Sequence, residues 1–306
     1  MKTPLHLHEY IDYSEEVEYA KDNNIPIVAL ESTLISQSQS YPDNFKRALH
    51  AQNIVRKNGC VPATIAILDG RIKIGVSDEQ LNYIARTGVD KVSTRDIATI
   101  IALKRDGATT VASTMMLASL VNIDVFATGG IGGVHYDVAD EFDISNDIQA
   151  LASTSMIVVC SGPKAVLDQK KTIEMLETKG VSVLGYKCDV VPGFFTRTTD
   201  IPVDYRIDDP KEFKNILECN RMLNQKQALL VVNPVSEEYA INKSILEFSL
   251  SVARVKAKSE GISGKHLTPY LLQAVYEITE GESRKANKQL IFENVAVATQ
   301  IAAAFK

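Results

Sequence analysis

The sequence predicts a three-layer α/β/α protein: a single domain built on a mostly parallel central sheet. Three observations lead there. Short continuous apolar runs of strand length recur along the chain, among them IPIVALEST (Ile25–Thr33), SMIVVC (Ser155–Cys160) and LLVVNP (Leu229–Pro234). They lack the polar alternation of a half-solvated sheet and suit strands covered on both faces. Segments of helical length separate many of them, and strands alternating with helices imply parallel pairing through crossovers. Charged and glycine-rich residues gather just after the expected strands, where ligands sit in parallel α/β sheets.

Taken in order, residues 1–24 read as a polar N-terminal arm, with one short helix around Ser14–Lys21, that docks on a neighbour or subunit. The domain proper is expected over 25–306. Ile25–Thr33 is a buried strand ending in Glu31. Asn44–Lys57 is a helix closed by Gly59. Val61–Ser77 is a hairpin turning at Asp69–Gly70. Asp78–Arg86 is a helix. Lys91–Asp96 is polar and leads, through a cap at Ser93 or Thr94, into a helix reaching Lys104. Thr109–Ala112 is a short strand, Ser113–Asn122 a helix, and Val125–Thr128 a strand entering a glycine cluster. Ser145 caps a helix to Ser153. Ser155–Lys164 is a strand running into a helix with Pro163 in its first turn. Val181–Tyr186 and Leu229–Pro234 are strands. Residues 187–210 form a long surface connection, and the remainder is helical: Glu237–Lys258, Thr268–Glu280 and Ser283–Phe305.

Composition narrows the class. The chain has 306 residues, 45% hydrophobic and 23% charged, enough apolar mass for a sizeable core. A net charge of −5 speaks against general nucleic-acid or anionic-membrane binding. No run approaches the length of a membrane span, and the N-terminus has no apolar signal core, so a cytoplasmic protein is expected. Cys60, Cys160, Cys188 and Cys219 are widely spaced without a CxxC pair, and read as free thiols.

The chain is organised around Phe126–Ser145. Gly129, Gly130, Gly132 and Gly133 suggest a loop whose amides form an anion-binding nest, because glycine reaches the dihedrals a nest needs. His135 and the carboxylates Asp137, Asp140, Glu141, Asp143 and Asp147 follow. A solvated acidic loop is the plain alternative. Glu31 ends an apolar run, where a charge is costly unless paired or functional. Lys164 follows a buried strand; a lysine there can act as an imine-forming nucleophile, or be an ordinary helix-surface lysine. Lys91, Arg95 and His135 can bring charge to a phosphate. Asp143 and Asp147, four apart across a helix start, suit a hard divalent cation better than zinc. Glu31, Thr110, the Thr128–Gly133 loop and Lys164 all fall at strand ends that one pocket can share. No Walker A, HExxH or GxSxG pattern occurs.

ALEST, VPATIAILDG, KVSTRD, TTVAST, FATGGIGGVH, FDISND, VVCSGPKAVLD, LLVVNP and LTPYLL, in this order, resemble the pseudouridine-5′-phosphate glycosidase family, which is related to proteins named for indigoidine biosynthesis. The resemblance covers Ile25 to Ala304. It implies a three-layer α/β/α subunit in a homotrimer with a Mn²⁺ site. The implied reaction is reversible cleavage of pseudouridine 5′-phosphate with water to uracil and ribose 5-phosphate. By residue, it implies Lys164 as the nucleophile that forms an imine with the ring-opened ribose, and Glu31 as the acid/base at the sugar ring oxygen. Asp147 lies near the substrate and assists proton transfer, and Asp143 binds the metal, partly through water. Lys91 contacts the phosphate, and Val111, Ser145 and Asn146 fall at substrate-contact positions. Thr110 and Thr128 belong to the same substrate pocket, Asn287 reads uracil's amide edge, and His135 is a phosphate contact. The chain departs from the family pattern at Gln37–Pro42, at Thr94, at Asn224–Gln227 and at Glu293–Asn294, which bears on the pocket rim. Another phosphosugar enzyme, an imine-forming aldolase or a kinase, and a non-catalytic ligand-binding relative are the alternatives.

Overall fold

A computed structural model describes residues 7–37, 40–262 and 267–305. Residues 1–6 of the expected arm, and Ser38 and Gln39 of the Gln37–Pro42 departure, lie outside the described residues. One sheet holds β1 (Ile11–Tyr13), β2 (Ile27–Glu31), β3 (Val61–Leu68), β4 (Arg71–Ile74), β5 (Asp90–Val92), β6 (Gly107–Thr109), β7 (Val125–Ala127), β8 (Ile157–Cys160), β9 (Ser182–Tyr186), β10 (Tyr205–Ile207) and β11 (Leu229–Val232). Its main order is β1-β4-β3-β2-β7-β8-β11-β9-β10. Pairing is parallel except where β3 meets β4 and β6. β6 pairs with β3 at Ala66, one residue past the register point where Glu31 faces Ile65, and carries β5 with it.

Alternate residues of each central strand enter different apolar layers, which is why the strands read as unbroken apolar runs. Val28, Leu30, Val125, Ala127, Ile157 and Val159 face one layer. Over it lie α3 (Asp43–Lys57), α10 (Pro210–Met222), α11 (Lys243–Ser259), α12 (Leu267–Ile278) and α13 (Glu282–Ala303). Ala29, Phe126, Val158 and Cys160 face the other. There lie α1 (Glu15–Asp22), α5 (Ile97–Ala102), α6 (Val111–Leu120), α8 (Asn146–Ser153) and α9 (Gln169–Thr178). α2 (Thr33–Ser36) and α4 (Asp78–Thr87) close a smaller cluster beside β3, and α7 (Val138–Glu141) is a single turn in the acidic loop.

Several expectations change. The stretch read as a polar arm holds its expected helix and adds a strand to the sheet: β1 runs parallel to β4, with Ile11 opposite Ile72, and Val17 and Ala20 of α1 are buried. Val17 and Ala20, three residues apart on α1, anchor it although its composition is polar. The expected strand at Thr109–Ala112 ends at Thr109, because Thr110 and Ser113 form a capping box that starts α6 at once. No helix starts at Pro163. Pro163 instead bridges Ile131, Gly162 takes a left-handed conformation (φ +83°), and α9 waits for the Asp168 cap. Residues 187–210 are no surface connection, since Val191, Phe194 and Phe195 are buried and β10 extends the sheet. The unexpected helix α10 follows, started by the Asp209 cap and Pro210 at its first turn. Lys91 lies on β5, where no strand was expected.

Candidate active site

The parallel strands end on one edge, and Glu31, Thr128, Lys164 and Asp147 lie near it. Glu31 is the last residue of β2 and is 5% exposed. Its two carboxyl oxygens accept the hydroxyls of Thr33 and Thr128. Burial raises its pKa, against the opposing pull of the Lys164 ammonium and the two hydroxyls, and Asp147 adds a further upward push. The carboxyl is therefore held toward its neutral, proton-bearing form. Behind it lies a cavity of about 30 Å³ lined by Leu30, Leu34, Arg47, Ala51, Thr64 and Val295. Arg47, from α3, donates to the Leu34 carbonyl. Burial brings its guanidinium down to about 10, and the Glu31 charge opposes that fall.

Lys164 sits half-buried in the loop after β8, not on a helix surface. Its amide donates to Ile131 O at 3.0 Å, and its carbonyl accepts Gln169 Nε2 at 3.1 Å, so the backbone carrying the amine is tied on both sides. Asp147 is buried in the first turn of α8, behind the Ser145 cap. Its Oδ1 accepts Ala112 N at 2.9 Å, and its Oδ2 accepts Gly132 N at 2.8 Å. Two amides, one from the first turn of α6 and one from the glycine loop, thus hold this carboxylate.

The glycine loop differs from the expected nest. None of its four glycines has positive φ. At three of them neighbours approach too closely for a side chain. A Cβ at Gly132 would stand 2.2 Å from Ser145 Oγ, one at Gly130 2.5 Å from the Phe194 ring, and one at Gly133 2.4 Å from Thr172 Oγ1. The Ile131 amide is spent on Gly162 O, and that of Gly132 on Asp147.

Other candidates stand further out. His135 is buried, with Nε2 3.6 Å from Asp143 and 3.3 Å from Thr268 Oγ1. Asp143 is half-buried on the loop before α8, so it and Asp147 face different partners. Asn146 is exposed and donates to Thr94 Oγ1 at 2.5 Å, which fastens the β5–α5 connection to α8. Lys91 is exposed on β5. Asn287 is half-buried on α13, one turn before Ile291, whose side chain packs beside Gly129. Thr110 caps α6 and Val111 is buried in its first turn. The structure thus bonds Thr128 to Glu31 and sets Lys164 and Asp147 in the field of that carboxyl, while His135 pairs with Asp143, and Lys91 and Asn287 lie on β5 and α13.

The manganese implied by the resemblance meets one half-buried carboxylate here. Among the described residues, no group of three or more His, Cys, Asp or Glu side chains gathers to hold a metal. A single carboxylate fits a water-rich hard cation rather than a protein-caged one.

Two residues of this region, Thr33 and Arg47, carried no reading from the sequence, and a third, Asn294, stood out only as part of a departure from the family pattern. Thr33 lies two positions after Glu31 in ALEST, and its spacing gave the signal. Asn294 is wholly buried at the strand ends, a polar residue just before the apolar run Val295–Ala298. Arg47 gave no signal, being one basic residue in an amphipathic helix.

A buried carboxyl group in the field of a lysine, at the carboxyl edge of a doubly covered parallel sheet, is the architecture of an α/β/α enzyme. More narrowly, the chain belongs to the indigoidine synthase A like family, whose family model matches residues 16–304. It is similar to the pseudouridine-5′-phosphate glycosidase of Hahella chejuensis, 46% identical and covering 98% of this chain and 99% of that protein. The protein of the same name from Brachyspira hyodysenteriae is 47% identical, covering 97% and 96%. Among solved structures, the prealnumycin C-glycosynthase AlnA, in complex with ribulose 5-phosphate, matches with a TM-score of 0.90 at 37% identity over 97% of each chain. An indigoidine synthase A-like protein from Thermotoga maritima matches with a TM-score of 0.88 at 34% identity over 96% of each.

Proposed function

We propose that this chain is a C-glycosidase that reversibly cleaves pseudouridine 5′-phosphate with water to uracil and ribose 5-phosphate. The observation that carries the reading is the buried Glu31 carboxyl, kept toward its neutral form, in the field of Lys164. Relatives named for this reaction, at 42–47% identity over nearly the whole chain, support it.

In the substrate, ribose C1′ joins uracil C5 through carbon, so no leaving nitrogen or oxygen can be protonated. Opening the sugar supplies another route. Glu31 gives its proton to the ring oxygen as the C1′–O4′ bond breaks. Lys164 Nζ, as the free amine, forms a bond to C1′ in its place, and the proton it loses passes to the Glu31 carboxylate. A proton then reaches uracil C5, with Asp147 assisting. The C1′–C5 electron pair returns to the uracil ring while the nitrogen lone pair closes a C1′=N imine. Water hydrolyses the imine, which releases ribose 5-phosphate and restores the amine. Thr33 and Thr128 orient the Glu31 carboxyl, and Lys91 and His135 serve the phosphate end. Val111, Thr110, Ser145 and Asn146 line the sugar, and Asn287 meets uracil. Asp143 would hold Mn²⁺, largely through water, and the cation would supply charge neutralisation near the phosphate. The same reading carries a homotrimer in the cytoplasm; among the described residues, no helix is long and apolar enough to cross a membrane.

The test mixes protein, manganese, uracil and ribose 5-phosphate, and follows products by mass spectrometry with and without borohydride. Pseudouridine 5′-phosphate and a reduced sugar adduct on Lys164 are the expected products. Folded, metal-loaded protein that yields no product in either direction overturns the reading in favour of a ligand-binding relative.

A further inference from the structure

Asn294, on α13, is wholly buried against the ends of three strands, and each of its polar atoms is engaged. Nδ2 donates to Thr128 O at 2.9 Å and to Gly129 O at 3.2 Å, both just after β7. Oδ1 accepts Ser161 Oγ, just after β8, at 3.3 Å, and Asn233 Nδ2, just after β11, at 3.1 Å. The Ser161 hydroxyl also lies 3.1 Å from Nδ2. An amide offers two donor hydrogens and two acceptor positions, so this set fills it. It also fixes which way the amide faces, because turning it over would set Oδ1 against two carbonyl oxygens.

The partners are not incidental. Thr128, whose carbonyl Asn294 holds, is the residue whose hydroxyl bonds Glu31. Ser161 stands three positions before Lys164, and its amide donates to Gly129 O at 2.9 Å. Asn233 N donates to Cys160 O at 2.9 Å, which ties the third strand end to the second. One side chain therefore spans the support of the carboxyl group and the support of the amine.

We propose that Asn294 is a positioning residue that sets the distance and angle between Glu31 and Lys164 by locking the ends of β7, β8 and β11 to α13. The proposal rests on the glycosidase reading given above. Asn294 touches no reacting atom. Its effect is on the geometry in which proton delivery to the ring oxygen and amine attack at C1′ coincide, so it belongs to kcat and not to affinity for the phosphate.

The test compares the full chain with Asn294→Ala, Asn294→Ser and Asn294→Asp, following kcat, KM for pseudouridine 5′-phosphate, melting temperature and the rate of borohydride trapping on Lys164. Misplacing reacting groups by about 1 Å costs about a hundredfold in rate, so Asn294→Ala is expected to lose about ten- to a hundredfold in kcat with KM within about threefold. Trapping slows in parallel. Asn294→Asp sets a carboxylate against the carbonyls of Thr128 and Gly129. Its kcat relative to wild type therefore rises as pH falls and the acid regains a donor proton. Where Asn294→Ala does not fold, Ser161→Ala removes a single partner and carries the same comparison, with a kcat loss of about threefold. Variants that melt earlier but keep wild-type kcat and trapping rate, or an Asn294→Asp ratio flat with pH, overturn the proposal alone. A wild-type protein without turnover overturns the glycosidase reading and the proposal with it.

Discussion

Two carboxyl groups of this sheet, one at its centre and one at its edge, sit in opposite electrostatic environments. Glu31 ends the central strand β2, dry, with two hydroxyls and the more distant charge of Lys164, and burial holds its pKa up. Asp12, in the edge strand β1, accepts Arg71 Nε and Nη2 at 2.8 and 2.5 Å and Lys73 Nζ at 2.5 Å. Those cations hold its pKa well below the ordinary carboxylate range. The edge has more positive charge than its carboxylate needs, and the centre has less. A carboxyl group left short of partners in a dry place is the kind a protein keeps for proton transfer, at a cost in stability. One with full partners fastens an element.

The largest expected effects fall at the centre. Lys164→Ala should lower turnover by about a thousandfold or more, because removing the proposed nucleophile leaves only binding and orientation. Glu31→Gln should cost about a hundred- to ten-thousandfold. Both should fold. Stability turns Glu31→Gln into a sharper test. The Glu31 pKa is raised in the folded state, so wild type loses stability as pH rises above the unfolded value of about 4 toward the folded one. The glutamine variant should match wild type near pH 4 and melt higher at neutral pH. A variant that melts lower at neutral pH than at pH 4, relative to wild type, would show that Glu31 is a stabilising charge like Asp12.

Asp147 lies between these extremes: it is buried like Glu31, but two amides satisfy it. Asp147→Asn keeps the shape and puts an NH₂ group against Ala112 N or Gly132 N. A buried donor facing a donor costs about 1–3 kcal/mol, so the melting temperature should fall by several degrees while turnover also drops. A variant that loses turnover with unchanged melting temperature would place Asp147 with Glu31, as a group whose partners are for chemistry alone.

How far the sequence disclosed this contrast follows from the same physics. Glu31 stood out because a charge closing an apolar run has few innocent explanations, and the central strands were legible because double burial leaves no polar alternation. Lys164 was legible in position but not in setting, since Pro163 suits a first helical turn and nothing local ranks it below the Asp168 cap. The glycine loop was legible as a close approach, but its partners Phe194, Ser145 and Thr172 lie far along the chain, so crowding was mistaken for a nest. Arg47 and Asn294 are buried by tertiary packing of α3 and α13. Their surroundings are not local, so periodicity does not reveal them. β1 is three residues long, too short for any period, and is fixed by ion pairs with β4 that only the fold brings together.

Those ion pairs give the smallest effect and the opposite sign. Asp12 is partly solvated, and exposed pairs contribute about 1 kcal/mol or less, so Asp12→Asn should lower the melting temperature at neutral pH by about 1–2 °C. Because its folded pKa lies below the unfolded value of about 4, its contribution is present at neutral pH and disappears as pH falls below that value. The gap between wild type and Asp12→Asn should therefore narrow in acid, where wild type and Glu31→Gln also converge, and should shrink in high salt. Turnover should be unchanged, since β1 lies three strands from β2 in the sheet order. A loss of activity at constant stability would mean that β1 and α1 act on the site rather than fastening the edge.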